Sequence, residues 1–127
     1  MAEPRVAVVG VDPMVVDALD LLLAQAGATS VFRCLQSLTV CPPAIQGDLD
    51  TVDALLLDIW PPSVAEEACV RWRRRCPRAF LVAIIHYPST TLVARLHRAG
   101  VSAVWPKGLV RGLPEYVLWM ARNAATP

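Results

Sequence analysis

Lysine is almost missing from this 127-residue chain: eleven of the twelve basic residues are arginine, and the remaining one is Lys107. A broad grip on nucleic-acid backbone needs clustered surplus positive charge, and a formal net charge of +1 argues against one. None of the four cysteines, Cys34, Cys41, Cys69 and Cys76, stands in a CxxC pair, which removes the common zinc and dithiol motifs. No apolar run approaches membrane-spanning length, and no secretory leader is visible before the β-branched segment that starts at Arg5. A reduced, cytoplasmic setting with no membrane partner is the expectation. The turn Gly10-Val11-Asp12-Pro13 carries neither a GxGxxG nor a GxxxxGK pattern, which disfavours a small nucleotide-binding protein or enzyme.

What the chain has is apolar material, with 55% hydrophobic and 18% charged residues, enough to fill one core. A single domain over residues 1–127 is expected. Its one basic run, Arg71-Trp72-Arg73-Arg74-Arg75-Cys76-Pro77-Arg78, reads as a solvated helix end favoured by the C-terminal dipole.

Strands and helices alternate along the chain. Arg5 to Val11 is β-branched and apolar, and Asp12-Pro13 supplies a helix N-cap followed by proline at the first helical position. Val15, Leu19, Leu22 and Leu23 form the apolar face of that helix, which stops near Ala26-Gly27. A short strand over Ser30 to Cys34 follows, then a short or distorted helix between Leu35 and Asp50, where Pro42-Pro43 and Gly47 prevent a long one. A central strand runs from Asp53 to Asp58, with a helix from Val64 to Arg75 after it. Ala79 to Ile85 is a fourth strand, Ser89 caps a helix from Thr90 to Ala99, and Gly100 stands just past its end. A last strand leads to Lys107, and Leu113 to Asn123 is an amphipathic helix with Pro114 in its first turn and Val117, Leu118, Met120 and Ala121 inward. This alternation predicts an α/β fold: a doubly wound, five-stranded parallel sheet in the order 2-1-3-4-5.

Two residues draw the chemistry. Ala54-Leu55-Leu56-Leu57 is wholly apolar and ends on Asp58, ahead of Pro61-Pro62, so a carboxylate sits where open α/β sheets bind ligands. Lys107 ends the last strand, and the sheet order places the two ends close enough for one site. They form either a structural ion pair or a residual reactive pair. His97 falls on a polar helix face.

The pattern resembles a response-regulator receiver domain, a family whose aspartate takes a phosphoryl group from a histidine kinase. The resemblance runs from Arg5 to about Asn123. Asp58 matches the phosphoacceptor, with Pro62 four residues later. Lys107 matches the family's lysine, seven residues after Gly100 in Ala99-Gly100, and Asp12-Pro13-Met14-Val15 resembles the first loop of receivers that precede LuxR-type DNA-binding domains. Aligned through Pro13, the family's two adjacent acids become Gly10 and Val11, with Asp12 one residue beyond. The hydroxyl residue of the phosphoryl pocket becomes Ile85 or His86, depending on a one-residue gap. The aromatic switch position becomes Val104, with Trp105 on the opposite face.

The resemblance implies an atypical, non-enzymatic receiver acting in two-component signal transduction or transcription regulation without conventional Mg²⁺-dependent phosphorylation, and with no cofactor. The alternative is a phosphorylatable receiver in which Asp12 leaves its cap and joins Asp58 as metal ligand. A histidine kinase is the partner it allows, and DNA would be reached only through a domain outside this chain. A homodimer is expected through the last two helices and the fifth strand, where Trp105, Val110, Tyr116 and Trp119 make an apolar surplus.

Overall fold

In the computed structural model, residues 4–34 and 51–124 are described. Five parallel strands form one sheet in the order β2-β1-β3-β4-β5, where β1 is Arg5–Val9, β2 Thr29–Cys34, β3 Ala54–Asp58, β4 Phe80–Ile85 and β5 Ala103–Pro106. The described helices are α1 (Pro13–Gln25), α2 (Ala65–Arg75), α3 (Thr90–Arg98) and α4 (Leu113–Ala124). This is the expected doubly wound architecture. The expected helix between Leu35 and Asp50 lies outside the described residues.

Strand alternation divides the core into two layers. Leu55, Leu57, Leu81, Ala83 and Ile85 pack against Ala68, Cys69 and Trp72 of α2 and Leu96 of α3. On the other face Val6, Val8, Leu56, Val82 and Ile84 meet Val16, Leu19 and Leu23 of α1 and Leu113, Val117 and Leu118 of α4. The three central strands, β1, β3 and β4, are buried on both sides, which explains why β3 reads as continuous apolar sequence rather than as an alternation. The inward face of α1 is rotated slightly from the expected one. Val16 is fully buried, whereas Val15 is only half-buried.

Caps and stops follow local chemistry. The Asp12 side chain accepts from Met14 N at 2.9 Å and Ser89 Oγ accepts from Leu92 N at 3.1 Å, each satisfying a helix N–H that has no partner within the helix. Gly100 follows the end of α3 at φ 106°, the left-handed conformation that a side chain would strain.

The basic helix end is not wholly solvated. Arg73 turns inward, and its guanidinium donates to the carbonyls of Gly100 (2.7 Å), Ala79 (2.7 Å), Cys76 (3.1 Å) and Pro77 (3.3 Å) and to Ser102 Oγ (3.1 Å). The same Ser102 Oγ accepts from Leu81 N at 3.0 Å. One arginine thus ties the end of α2 to the start of β4 and to the α3–β5 connection. Burial among carbonyls lowers its pKa from the usual value, because the charged form loses hydration.

Candidate functional site

Register brings three side chains to one place. Asp58 pairs with Ile84, and Ile84 pairs with Trp105, so these residues lie in line across the C-terminal edge of the sheet. Positions two residues further on share their face, which puts His86 and Lys107 on the side of Asp58. Ile85 has the opposite parity and is 2% exposed in the core against α2 and α3. Of the two residues the sequence left open, the register puts His86 on the side of Asp58, and Ile85 is a core residue.

Asp58 is the one charged residue that is fully buried among the described residues, at 1% exposure. Lys107 Nζ lies 3.2 Å from its Oδ1, yet neither carboxylate oxygen accepts a hydrogen bond of good geometry. Burial pushes the Asp58 carboxyl above its ordinary value, the nearby Lys107 ammonium pulls it back part of the way, Asp12 adds a smaller upward push and His86 a smaller downward one. Desolvation outweighs the ion pair. That imbalance follows from the enclosure, since several kcal/mol of lost hydration per ion typically matches or exceeds a single salt bridge.

Gly10 ends the β1 side of the pocket and backs directly onto Asp58. A Cβ at Gly10 would stand 3.1 Å from Asp58 Cβ, 3.1 Å from Val16 Cγ2 and 3.5 Å from Asp58 Oδ2. Val11, at 37% exposure, points an apolar side chain outward at the same turn. Asp12 is exposed and engaged as the α1 cap. Among the described residues no group of three or more His, Cys, Asp or Glu side chains could hold a metal ion. Mg²⁺ takes six oxygens in near-octahedral geometry, usually one or two carboxylates with waters, and here Asp58 is the one buried carboxylate, with a glycine and a valine beside it.

At the rim stand three rings that the sequence reading did not connect. Trp60 meets His86 edge to face with centroids 5.6 Å apart, and Tyr87 stacks on His86 at 5.8 Å. Trp60 is 53% and Tyr87 90% exposed. Their signal was available: Trp60 is two residues past Asp58, and Tyr87 one past His86. On the far side, Lys107 and Asp12 border a cavity between α1 and the 3₁₀ turn Lys107–Gly112, which the sequence did not announce.

No protein-family model matches the sequence. Nor does any curated protein. Solved structures do. The signal receiver domain of the response regulator NarL from Mycobacterium tuberculosis is similar over 96% of this chain and 98% of its own, with a TM-score of 0.78 at 18% identity. A CheY-like response-regulator receiver domain from Methanospirillum hungatei JF-1 covers 97% of both chains at TM-score 0.74 and 17% identity. The chain has the receiver fold. A Burkholderia pseudomallei K96243 protein assigned to pilus assembly shares it too, over 98% of this chain and 92% of that one, at TM-score 0.76 and 22% identity. In this fold Asp58, His86 and Lys107 stand together at the C-terminal edge of the sheet, beside Gly10 and Val11 at the end of β1.

Val104 and Trp105 lie on opposite faces of β5, as strand alternation requires. Val104 packs toward the α2 and α3 layer, and Trp105 toward α4, where its ring lies 5.0 Å from that of Tyr116 and its Nε1 donates to Leu109 O at 2.7 Å. Trp105, Val110 and Tyr116 are therefore partly buried against the core. The exposed apolar surplus near β5 and α4 reduces to Leu109 and Trp119, at 61% and 60% exposure.

Proposed function

We propose that this chain is an atypical receiver: a non-enzymatic signalling module that works through protein contacts, with Asp58 and Lys107 as a resting ion pair and no Mg²⁺-dependent aspartyl phosphorylation. One observation carries this reading. Gly10 occupies the place of an acid, with its missing Cβ 3.1 Å from Asp58 Cβ, so the wall that would have to present metal ligands presents backbone. An aspartate attacks phosphorus readily only when a cation offsets the charge of the approaching phosphoryl oxygens. Lys107 alone balances Asp58 but leaves nothing over for a phosphoryl dianion.

The solved neighbours are compatible with such a role. They include response regulators and a protein assigned to pilus assembly, so this fold serves under more than one name. Signal transduction and transcription regulation remain the contexts we assign, in the cytoplasm, with any DNA contact made by a domain outside these residues. A homodimer through α3, α4 and β5 is the form in which the contact would be made, with Leu109 and Trp119 as exposed apolar residues near β5 and α4.

The competing reading, with Asp12 as metal ligand, has one observation in its favour: the charge of Asp12 reaches Asp58. Isothermal titration of Mg²⁺ into the unaltered chain separates the two. Our reading expects no saturable binding at millimolar Mg²⁺ and measurable binding in Val11→Asp. Binding by the unaltered chain that is lost in Asp12→Asn would establish the other. Gly10→Asp is the less suitable restoration, because its Cβ would press on Asp58 and Val16.

A further inference from the structure

We infer that the joined C-terminal ends of α2 and α3 hold the phosphate backbone of duplex nucleic acid, without reading its sequence, through Arg74, Arg78, Arg95 and Arg98. The net charge of +1 conceals a polarised chain. From Ala68 to Pro114 there is no acidic residue, while nine of the twelve basic residues fall there. A sum near zero therefore does not weigh against a local site for a polyanion, and charge divided in this way along one chain points to nucleic acid or to a membrane surface.

The Arg73 clamp turns this composition into a surface. Its guanidinium bonds Pro77 O and Ala79 O, on either side of Arg78, and Gly100 O, two residues past Arg98. Arg74 is the next residue of α2, and Arg95 lies three before Arg98 on the same side of α3. Arg74, Arg78, Arg95 and Arg98 are all exposed, and none has an ion-pair or hydrogen-bond partner among the described residues. Two helix C-termini offer about one negative charge between them, so the helix dipoles balance a fraction of this charge and no more. Glu67 is engaged by Arg71, and Asp53, just before β3, accepts from Arg5 N. Asp58 and Lys107 lie at the opposite edge of the sheet, so the arginine face is separate from their pocket.

The chemistry of the face selects the occupant. All four residues are arginine, whose planar fork of donors matches phosphate oxygens. Protein interfaces centre on buried apolar and aromatic anchors, and interfacial membrane binding on an inserted apolar face. Among the described residues, no exposed large hydrophobic side chain belongs to α2, to α3 or to the turn after either. Charge without an apolar anchor fits a phosphate backbone, where the release of counterions supplies the affinity. This goes beyond the function proposed above and is independent of it, adding to any DNA-binding domain elsewhere a contact made by this chain itself.

The test is fluorescence anisotropy of the full chain with a labelled DNA duplex of arbitrary sequence, about 20 base pairs long, at pH 7. A Kd of about 10 μM is expected in about 50 mM salt, and four phosphate contacts should make it about 150-fold weaker at about 200 mM. Arg98→Gln should weaken binding several-fold and reduce the salt slope by about one. The combined Arg74→Gln, Arg78→Gln, Arg95→Gln and Arg98→Gln chain should lose binding and keep its unfolding midpoint, because all four side chains are exposed. Arg111→Gln, exposed on the turn at the other edge of the sheet, should bind like the unaltered chain. No binding at about 100 μM protein in about 50 mM salt, an affinity that salt does not change, or an equal loss in Arg111→Gln overturns the inference. Tighter binding to phosphatidylglycerol vesicles or to polyglutamate than to the duplex would assign the face to a membrane or to an acidic protein and overturns it as well.

Discussion

Replacing Asp58 by asparagine should stabilise this domain, while replacing Lys107 by methionine should weaken it. At 3.2 Å the pair attracts by about 5 kcal/mol if the effective dielectric constant is about 20. Against this stands the dehydration of a carboxylate at 1% exposure, several kcal/mol, with no hydrogen bond to either oxygen to offset it. The upward direction of the Asp58 pKa says that dehydration wins. Asp58→Asn removes the charge and keeps the shape, so a gain of about 1 to 2 kcal/mol is expected at pH 7. Lys107 retains some access to water and tolerates the loss of its partner. Lys107→Met instead strands the buried carboxylate and should cost about 3 kcal/mol, reduced by whatever proton the carboxyl then takes up. The folded-state pKa of Asp58 is raised, so between its unfolded and folded values the native state holds a proton that the unfolded state has released. Its effect on stability therefore worsens as pH rises through that window and is constant above it. Urea denaturation of the unaltered chain and both variants at pH 7 and pH 4 gives the comparison, and the advantage of Asp58→Asn should shrink at the lower pH. A loss of stability in Asp58→Asn at pH 7, or an advantage that grows on acidification, would refute the reasoning.

Arg73→Met should destabilise the fold by about 3 kcal/mol, since it leaves several carbonyls without their charged donor; a change within 0.5 kcal/mol of zero, the usual range of surface substitutions, would show that the clamp is ornamental. Gly100→Ala should also be costly, by at least about 1 kcal/mol, because its φ is 106° and its Cβ would fall 2.7 Å from Arg73 Cγ; thermal denaturation reads both. Sedimentation equilibrium should show self-association that Trp119→Glu abolishes without lowering the unfolding midpoint, and a strict monomer at about 100 μM would remove the dimer.

The placement of Asp58 was legible because an apolar run this short, bounded by the prolines at 61 and 62, reads as a strand buried on both faces, and its last residue then lies at the strand end. Asp12, Ser89 and Gly100 were legible for the same kind of reason: each satisfies or stops a helix by chemistry local to a few residues. The choice between Ile85 and His86 was not, because it depends on a register between β3 and β4 that only the pairing of Asp58 with Ile84 supplies. Arg73 was hidden among neighbours of identical type. Helical phase could have singled it out, since it lies one turn beyond buried Cys69 and next to buried Trp72, but its carbonyl partners come from distant segments. The apolar surplus was overcounted because Trp105 and Tyr116 cover one another, a tertiary fact with no trace in composition.

The proposed function requires that Asp58, with Gly10 and Val11 rather than acids beside it, takes no phosphoryl group. Intact-mass and peptide mass spectrometry after incubation with acetyl phosphate, with and without Mg²⁺, tests it most directly. Asp58 is expected to remain unmodified in both samples. Stoichiometric phosphorylation of Asp58 that requires Mg²⁺ would contradict it and make Asp12 a metal ligand.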